Sequence, residues 1–248
     1  MPLAHDRCIC LFKTKYSETS QILTLFSREH GILRAIAKGA HRRTKAGASR
    51  FDGGVDFLDL GSAVFTYDPD RELCTLTEWH LDEGHLGLRQ SLRAMHLGLY
   101  AGELAGRLIE EHDPHPEVFD KLAAVLPNLA TPRREEAFLA FALDLLRASG
   151  YLPELLACVS CGTTAEDWSL AWFSPSRGGI VCRNCETVIP DRRELDIRLL
   201  RLLQTLLRAP RLPQLTRRQT DPLNRLLADQ IENTLGRPLR MRPYVLGE

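Results

Sequence analysis

Two Cys-x-x-Cys pairs, Cys158-Val159-Ser160-Cys161 and Cys182-Arg183-Asn184-Cys185, stand twenty residues apart. Each pair can aim two thiolates at one ion, and four thiolates complete a tetrahedral zinc shell with bonds of about 2.3 Å. A filled shell leaves no position for water. The chemistry expected of Cys158, Cys161, Cys182 and Cys185 is therefore structural Zn²⁺ binding and not hydrolysis, with iron the minor alternative. A second group is cationic: Arg34, Lys38, Arg42, Arg43, Lys45 and Arg50, with Gly39 and Gly47 loosening the run. Such a segment can follow a phosphate backbone by displacing counterions, giving salt-sensitive binding that is largely independent of base sequence. The plainer alternative is a solvated charged loop. Tyr16, Phe26 and Phe51 stack bases if they are exposed and fill a core if they are not. The cluster Glu110-Glu111-His112-Asp113-Pro114-His115 carries metal-binding and proton-transfer residue types, but Pro114 should end a helix there, so a solvated helix terminus is the better reading.

Catalytic templates are missing. There is no Gly-x-x-x-x-Gly-Lys-Ser/Thr loop, no Gly-x-Ser-x-Gly elbow and no His-Glu-x-x-His helix, and the expectation is a protein that is not an enzyme. The net charge of zero hides segregation. Residues 1–50 hold 10 Lys and Arg against 3 Asp and Glu, and residues 191–248 hold 12 against 7. Residues 51–90 hold 2 against 9, so the stretch that follows the basic run is acidic. Two basic regions on a neutral chain point to anionic partners at defined places.

The elements that must position these groups change character along the chain. The first eighty residues read as short strands: Cys8 to Phe12, Gln21 to Ser27, Gly31 to Ala37, Val55 to Leu60, Ala63 to Tyr67 and Leu73 to Trp79. Arg28-Glu29-His30-Gly31 supplies a turn whose glycine can take positive φ, making the second and third strands a hairpin. Five or six short antiparallel strands are best closed into a small barrel, since closure removes exposed edges. Leu88, Leu92, Met95, Leu99 and Ile109 then recur on a helical face, and Gly98, Gly102 and Gly106, spaced by four, suit close approach of another helix. A helix from about Pro132 to Ser149 is bounded by Thr131 and Gly150. Asp191 with Glu194 resembles a capping box ahead of Leu195, Leu199, Leu202 and Leu206, and a last helix through Leu223 to Leu235 stops at Gly236. Trp168, Trp172, Phe173 and Gly178-Gly179 suit a small ribbon joining the two cysteine pairs. The expected fold class is α+β, with a nucleic-acid-binding barrel over 1–80 and a helical domain over 81–248 carrying a zinc module at 158–185.

Seven cysteines are an odd number, and Cys8, Cys10 and Cys74 lie in apolar runs as small buried hydrophobes. Cysteines grouped for metal, the polar start Met1-Pro2-Leu3-Ala4-His5-Asp6 and a leucine-rich stretch broken by Arg198 and Arg201 lead to an expectation of a cytoplasmic protein without a membrane span.

Tyr16-Ser17-Glu18-Thr19-Ser20, Leu23 to Gly31 and Ala37-Lys38-Gly39-Ala40-His41-Arg42-Arg43 resemble the N-terminal signature of the RecO family of bacterial recombination mediators. The two cysteine knuckles, Gly178-Gly179 and the ending Arg237-Pro238-Leu239-Arg240-Met241-Arg242 look like that family too. The resemblance implies an oligonucleotide-binding (OB) barrel followed by a helical domain. It further implies a DNA repair function without catalytic turnover: binding single- and double-stranded DNA, annealing complementary strands and helping to load the recombinase RecA onto SSB-coated single strands. The implied partners are DNA, RecR, the SSB C-terminal tail and, indirectly, RecA, in the cytoplasm at the nucleoid. The basic loop maps onto Lys38, Arg42, Arg43 and Lys45, with Arg34 and Arg50 flanking it, and zinc maps onto the four cysteines. An acidic tail ending in hydrophobic residues would suit an apolar helical groove edged by arginine, for which Arg107, Arg192, Arg193, Arg198 and Arg201 are candidates. One departure is that Phe51-Asp52-Gly53-Gly54 stands where many members carry Leu-Gln-Pro-Phe-like residues. Two other classes compete: a zinc-ribbon RNA-binding or transcription-associated module, and a metal-dependent nucleic-acid enzyme using residues 110–115.

Overall fold

The computed structural model describes residues 2–40, 50–51, 54–209 and 211–247, which form two compact units, Met1–Arg134 and Glu135–Glu248. In the first unit β1 (Leu3–Lys15), β2 (Gln21–Ser27), β3 (Gly31–Ala37), β4 (Leu60–Thr66) and β5 (Cys74–Glu83) close a barrel in the order β1-β2-β3-β5-β4. Neighbours are antiparallel except β3 and β5, which run parallel from Ala35↔Cys74 to Ala37↔Leu76. β1 closes the barrel by pairing with β2 and β4, the connectivity of an OB fold. Leu23, Leu25, Leu33, Ala35, Phe65, Leu76 and Trp79 fill the interior, with Cys8, Cys10 and Cys74 beside them as the buried thiols the sequence suggested. Burial pushes the Cys8 thiol well above its ordinary range, so it stays protonated.

The boundaries of β2 and β3 match the sequence pattern, but Val55–Leu60 does not form a strand of its own. Asp56 and Asp59 turn the chain there: the Asp59 carboxylate accepts from Asp56 N at 2.7 Å, and the Asp56 carboxylate accepts from Phe57 N at 2.7 Å. Leu58 takes φ 65° within this turn. Its N–H donates to Cys10 O at 2.7 Å, while Cys10 N donates to Asp59 O at 2.9 Å. That exchange coincides with a bulge in β1, where the register with β2 jumps from Cys10↔Leu25 to Phe12↔Thr24 and leaves Leu11 without an opposite residue. Leu11 and Leu58 then meet the glycine stripe of α1 (Leu92–Leu108). A Cβ on Gly98 would lie 2.9 Å from Leu58, and one on Gly106 would lie 3.2 Å from Leu11. The stripe thus seats α1 on the barrel, with Leu126 of α2 also lying against Gly98.

α2 (Pro116–Leu129) is a helix that the proline spacing concealed, since Pro116 occupies its first turn and Pro127 its last. It buries Val118, Phe119, Leu122, Val125, Leu126 and Leu129, and Phe119 meets Phe26 of β2 edge-on at 5.6 Å. The β2–β3 turn is fixed to the same region. Arg28 makes a two-pronged contact with the Asp120 carboxylate of α2, both bonds 2.9 Å, and Asp6 accepts from Ser27 Oγ and from Glu29 N at 2.7 Å. Gly31, at φ 71°, lies directly under the 110–113 segment, where His112 N donates to Ile32 O at 3.1 Å.

The second unit comprises α3 (Arg134–Ala148), a three-stranded sheet ordered β7 (Gly179–Val181), β6 (Ala171–Ser174), β8 (Arg193–Leu195), then α4 (Ile197–Arg208), α5 (Arg217–Leu235) and α6 (Arg242–Leu246). The capping residue of α4 is Asp196, whose carboxylate accepts from Arg198 N at 2.8 Å. Asp191, expected to begin that helix, closes the β6 turn instead, accepting from Ser174 Oγ at 2.7 Å and Ser176 N at 2.8 Å. The short strand β8 intervenes, so the buried face of α4 is Leu200, Leu203, Gln204 and Leu206. α5 opens on a Thr216–Gln219 capping box and ends at Gly236, φ 64°.

Candidate functional site

The four cysteine sulfurs of the two knuckles converge to within 4.8 Å of one another, one donor each from Cys158, Cys161, Cys182 and Cys185. The Cys161–Cys182 separation is 3.7 Å, against about 3.8 Å expected between sulfurs of a tetrahedral shell with 2.3 Å bonds. Backbone turns aim them. Gly162 N donates to Cys158 O at 2.9 Å with Gly162 at φ 74°, and Cys185 N donates to Cys182 O at 3.1 Å. Cys182 N also points at Cys158 Sγ, 3.4 Å away. Hydrogen bonds from Thr163, hydroxyl first and then amide, hold the exposed Cys161 thiol down at about 6, while burial pushes Cys182 up to about 12. A divalent cation would favour the thiolate form of all four, and the donor set fits one ion with no open position.

The ribbon around the sulfurs is built by close packing. A Cβ on Gly179 would lie 2.5 Å from Glu154 O and 2.6 Å from Val159 Cγ1, so only glycine lets the 154–159 segment cross β7. That crossing is bonded by Ile180 N to Glu154 O and Val159 N to Ile180 O, each 2.9 Å. Val181 and Ile189 are buried against Cys158 and Cys182, with Val159, Trp168 and Trp172 packed alongside. Arg201 of α4 ties the ribbon to its helix by donating to Ala165 O at 2.7 Å and Trp168 O at 3.2 Å.

Of the six basic candidates, Arg42, Arg43 and Lys45 lie outside the described residues. Arg34 on β3, Lys38 just beyond it and Arg50 are all exposed. The run is anchored at both ends: Ala40 and Phe51 are buried in the barrel core, and Arg50 O accepts from Trp79 N of β5 at 2.8 Å. Phe51 therefore serves the core, as does Phe26, whereas Tyr16 is 64% exposed in the tight β1–β2 loop. Sequence reasoning missed Phe12. Strand alternation would bury it, but the Leu11 bulge reverses the parity and leaves it 45% exposed on the outer face.

Residues 110–115 do not gather as metal ligands among the described residues. His115 instead contacts Asp113 at 2.9 Å and Glu117 at 3.3 Å at the start of α2. Ser27, His30 and Asp6 meet as well, but His30 faces Ser27 Oγ at 3.4 Å and Asp6 Oδ2 at 3.2 Å through the one nitrogen Nδ1, and Ser27 Oγ itself donates to that Asp6 oxygen, so the two ring nitrogens do not link hydroxyl to carboxylate as a nucleophilic relay requires. Among the arginines weighed for a tail groove, Arg193 pairs with Asp229 at 2.8 Å and Arg192 donates to Ile189 O at 3.1 Å. Arg107 faces Glu103 on its own helix at 3.4 Å, and Arg198 is exposed on the first turn of α4.

Fold and site together define an α+β protein with an OB barrel and a four-cysteine centre suited to a metal ion. Residues 1–84 match the family described as "Recombination protein O N terminal", and residues 89–243 match "Recombination protein O C terminal". A "DNA repair protein RecO" of Anaeromyxobacter dehalogenans (strain 2CP-C) is 32% identical over 242 residues, 96% of this chain and 93% of the relative. The protein of that name from Syntrophotalea carbinolica is 34% identical over 203 residues, 82% of this chain and 76% of its own. The Myxococcus xanthus one is 30% identical over 235 residues, 93% of each. The chain belongs to the RecO family of DNA repair proteins. Among the described residues, no helix is long and apolar enough to cross a membrane.

Proposed function

We propose that this chain is a DNA repair and recombination mediator that binds single- and double-stranded DNA, anneals complementary strands and helps load RecA onto SSB-coated single strands. It works without catalytic turnover, with RecR and the SSB tail as partners, in the cytoplasm at the nucleoid. The DNA-binding module is residues 1–80 and the helical domain residues 81–248, with Zn²⁺ held by Cys158, Cys161, Cys182 and Cys185 as a structural ion of the 158–185 module. The carrying observation is that the described residues on either side of the basic run belong to the barrel: Ala40 and Phe51 are buried in its core, and Arg50 O accepts from Trp79 N of β5. Arg34, Lys38, Arg42, Arg43, Lys45 and Arg50 then contact phosphates without reading bases.

The test is fluorescent single strands titrated with purified protein, bare and coated with SSB, alongside annealing of complementary strands. Binding that persists on the coated strand and speeds annealing supports the mediator reading. Binding that the coat abolishes, with no annealing, refutes it and turns attention to an RNA or transcription role.

A further inference from the structure

The four converging sulfurs are unequally open to solvent. Among the described residues, which include all seven cysteines, only Cys161 is exposed; Cys185 is half-buried, Cys158 and Cys182 are buried, and Cys8, Cys10 and Cys74 lie in the barrel core. Each knuckle therefore turns its first cysteine inward and its second outward. Gly162 follows Cys161 directly and has nothing within 4 Å of a built Cβ, so the approach to that corner of the ribbon is clear. Thr163 Oγ1 lies 3.2 Å from the Cys161 sulfur. On the inner side, the same sulfur stands 3.7 Å from Cys182 Sγ across the gap between the knuckles, against about 2.05 Å in a disulfide. Cys158 is held differently: it is 3% exposed, its sulfur lies 3.4 Å from Cys182 N, and its carbonyl accepts from Gly162 N at 2.9 Å.

We infer that Cys161 is a modification site for hydroperoxides, and that its oxidation joins it to Cys182 and releases the ion. This rests on the zinc reading above and adds a reaction to a centre which that reading makes structural. The thiolate is both metal ligand and nucleophile, and susceptibility to oxidation follows thiolate character and exposure. The Cys161 sulfur attacks one oxygen of hydrogen peroxide; the O–O bond breaks, the departing hydroxide takes a proton from solvent to become water, and Cys161 becomes a sulfenic acid. The Cys182 sulfur then attacks the Cys161 sulfur. The S–O bond breaks, a second hydroxide leaves as water with a solvent proton, and an S–S bond joins the knuckles. Two thiolates have together lost two electrons, and the peroxide has taken both. Only Cys158 and Cys185 remain as donors, half of a tetrahedral set and too few to hold the ion. The new bond spans the two knuckles, so the ribbon stays stapled without metal, and a thiol reductant reverses the change. Burial of Cys8, Cys10 and Cys74 confines the reaction to the 158–185 module.

The experiment treats the full-length, zinc-loaded chain with stepwise hydrogen peroxide, follows released zinc with a chromogenic chelator, blocks free thiols by alkylation and maps disulfides in a non-reducing tryptic digest. Arg177 and Arg183 place Cys182 in peptide 178–183, apart from Cys185 in 184–192, and fragmentation of 148–177 separates Cys158 from Cys161. Zinc should leave mole for mole with peroxide consumed. The dominant cross-link should be Cys161–Cys182, with the three barrel thiols alkylated, and dithiothreitol with added zinc should restore the loaded chain. A first disulfide within either knuckle, oxidation of the barrel thiols ahead of Cys161, or zinc and all four thiols unchanged by peroxide overturns the inference while the structural ion stands. A chain that takes up no zinc before peroxide is added overturns the metal reading and this inference together.

Discussion

Replacing Gly31 by alanine should be among the costliest single-methyl changes in the barrel, for two separable reasons. The residue sits at φ 71°, where an L side chain meets its own backbone at a cost of about 1–2 kcal/mol. Its Cβ would also fall 2.4 Å from Asp113 O, 2.6 Å from Asp113 N and 2.7 Å from Asp113 C. Those are backbone atoms, unable to rotate aside, so the 110–113 segment must shift and lose the His112 N to Ile32 O bond, adding about 1–3 kcal/mol of overpacking. Gly236 is the control. It has φ 64° and nothing within 4 Å of a built Cβ, so Gly236→Ala should show the backbone cost alone, about 1–2 kcal/mol. Hydrogen exchange read by mass spectrometry reports each unit in its own peptides. The expected result is a total of about 2–5 kcal/mol lost in barrel peptides for Gly31→Ala, clearly more than Gly236→Ala removes from α5. If the two variants cost the same, the close approach at Asp113 is not rigid and the reasoning fails.

Metal analysis of the purified chain should find one zinc per molecule, and prolonged chelation under reducing conditions should strip amide protection from residues 154–195 while barrel peptides keep theirs; protection that survives full metal loss would contradict a structural ion. Cys182→Ser should act in the same direction, measured by melting temperature, because it removes one of four converging donors beside Val181 and Ile189. Burial pushes His85 below its ordinary value of 6.5, against the opposing pull of its bond to Leu58 O and the Glu83 charge. The unfolded chain then takes up a proton near 6.5 that the folded barrel refuses, so stability should rise with pH through that window and fall as pH drops below about 6.5. Urea midpoints from pH 5 to 8 check this, and His85→Gln should flatten the profile; a slope that is identical in the variant assigns it to other groups.

The barrel hairpin was legible because β2 and β3 are short, largely apolar runs joined by a glycine turn, and the cysteine pairs were legible because four-thiolate chemistry fixes their spacing. What escaped the sequence depended on partners distant along the chain. Val55–Leu60 has strand-like residues, yet the two aspartates offer the backbone a better local turn and Cys10 accepts it. α2 hid behind three prolines, two of them tolerable because they fall in its first and last turns. The glycine stripe of α1 showed close packing without revealing what packs, and the leucines it meets come from a bulge and a turn that no periodicity announces. The Arg28–Gly31 part of the family signature ties the barrel to α2 and to residues 110–113. Phe12 escaped for a related reason: one extra residue in β1 reverses which side chains face out.

The central claim, that the anchored basic run of the barrel holds DNA by its phosphates, is tested most directly by the salt dependence of single-strand affinity in wild type and in the Arg42→Ala, Arg43→Ala, Lys45→Ala triple variant. Each lost phosphate contact should reduce the slope of log affinity against log salt by about 0.7, so the triple variant should bind more weakly with a slope shallower by about 2. An unchanged slope in a folded triple variant would contradict the account and remove the loop from the DNA path.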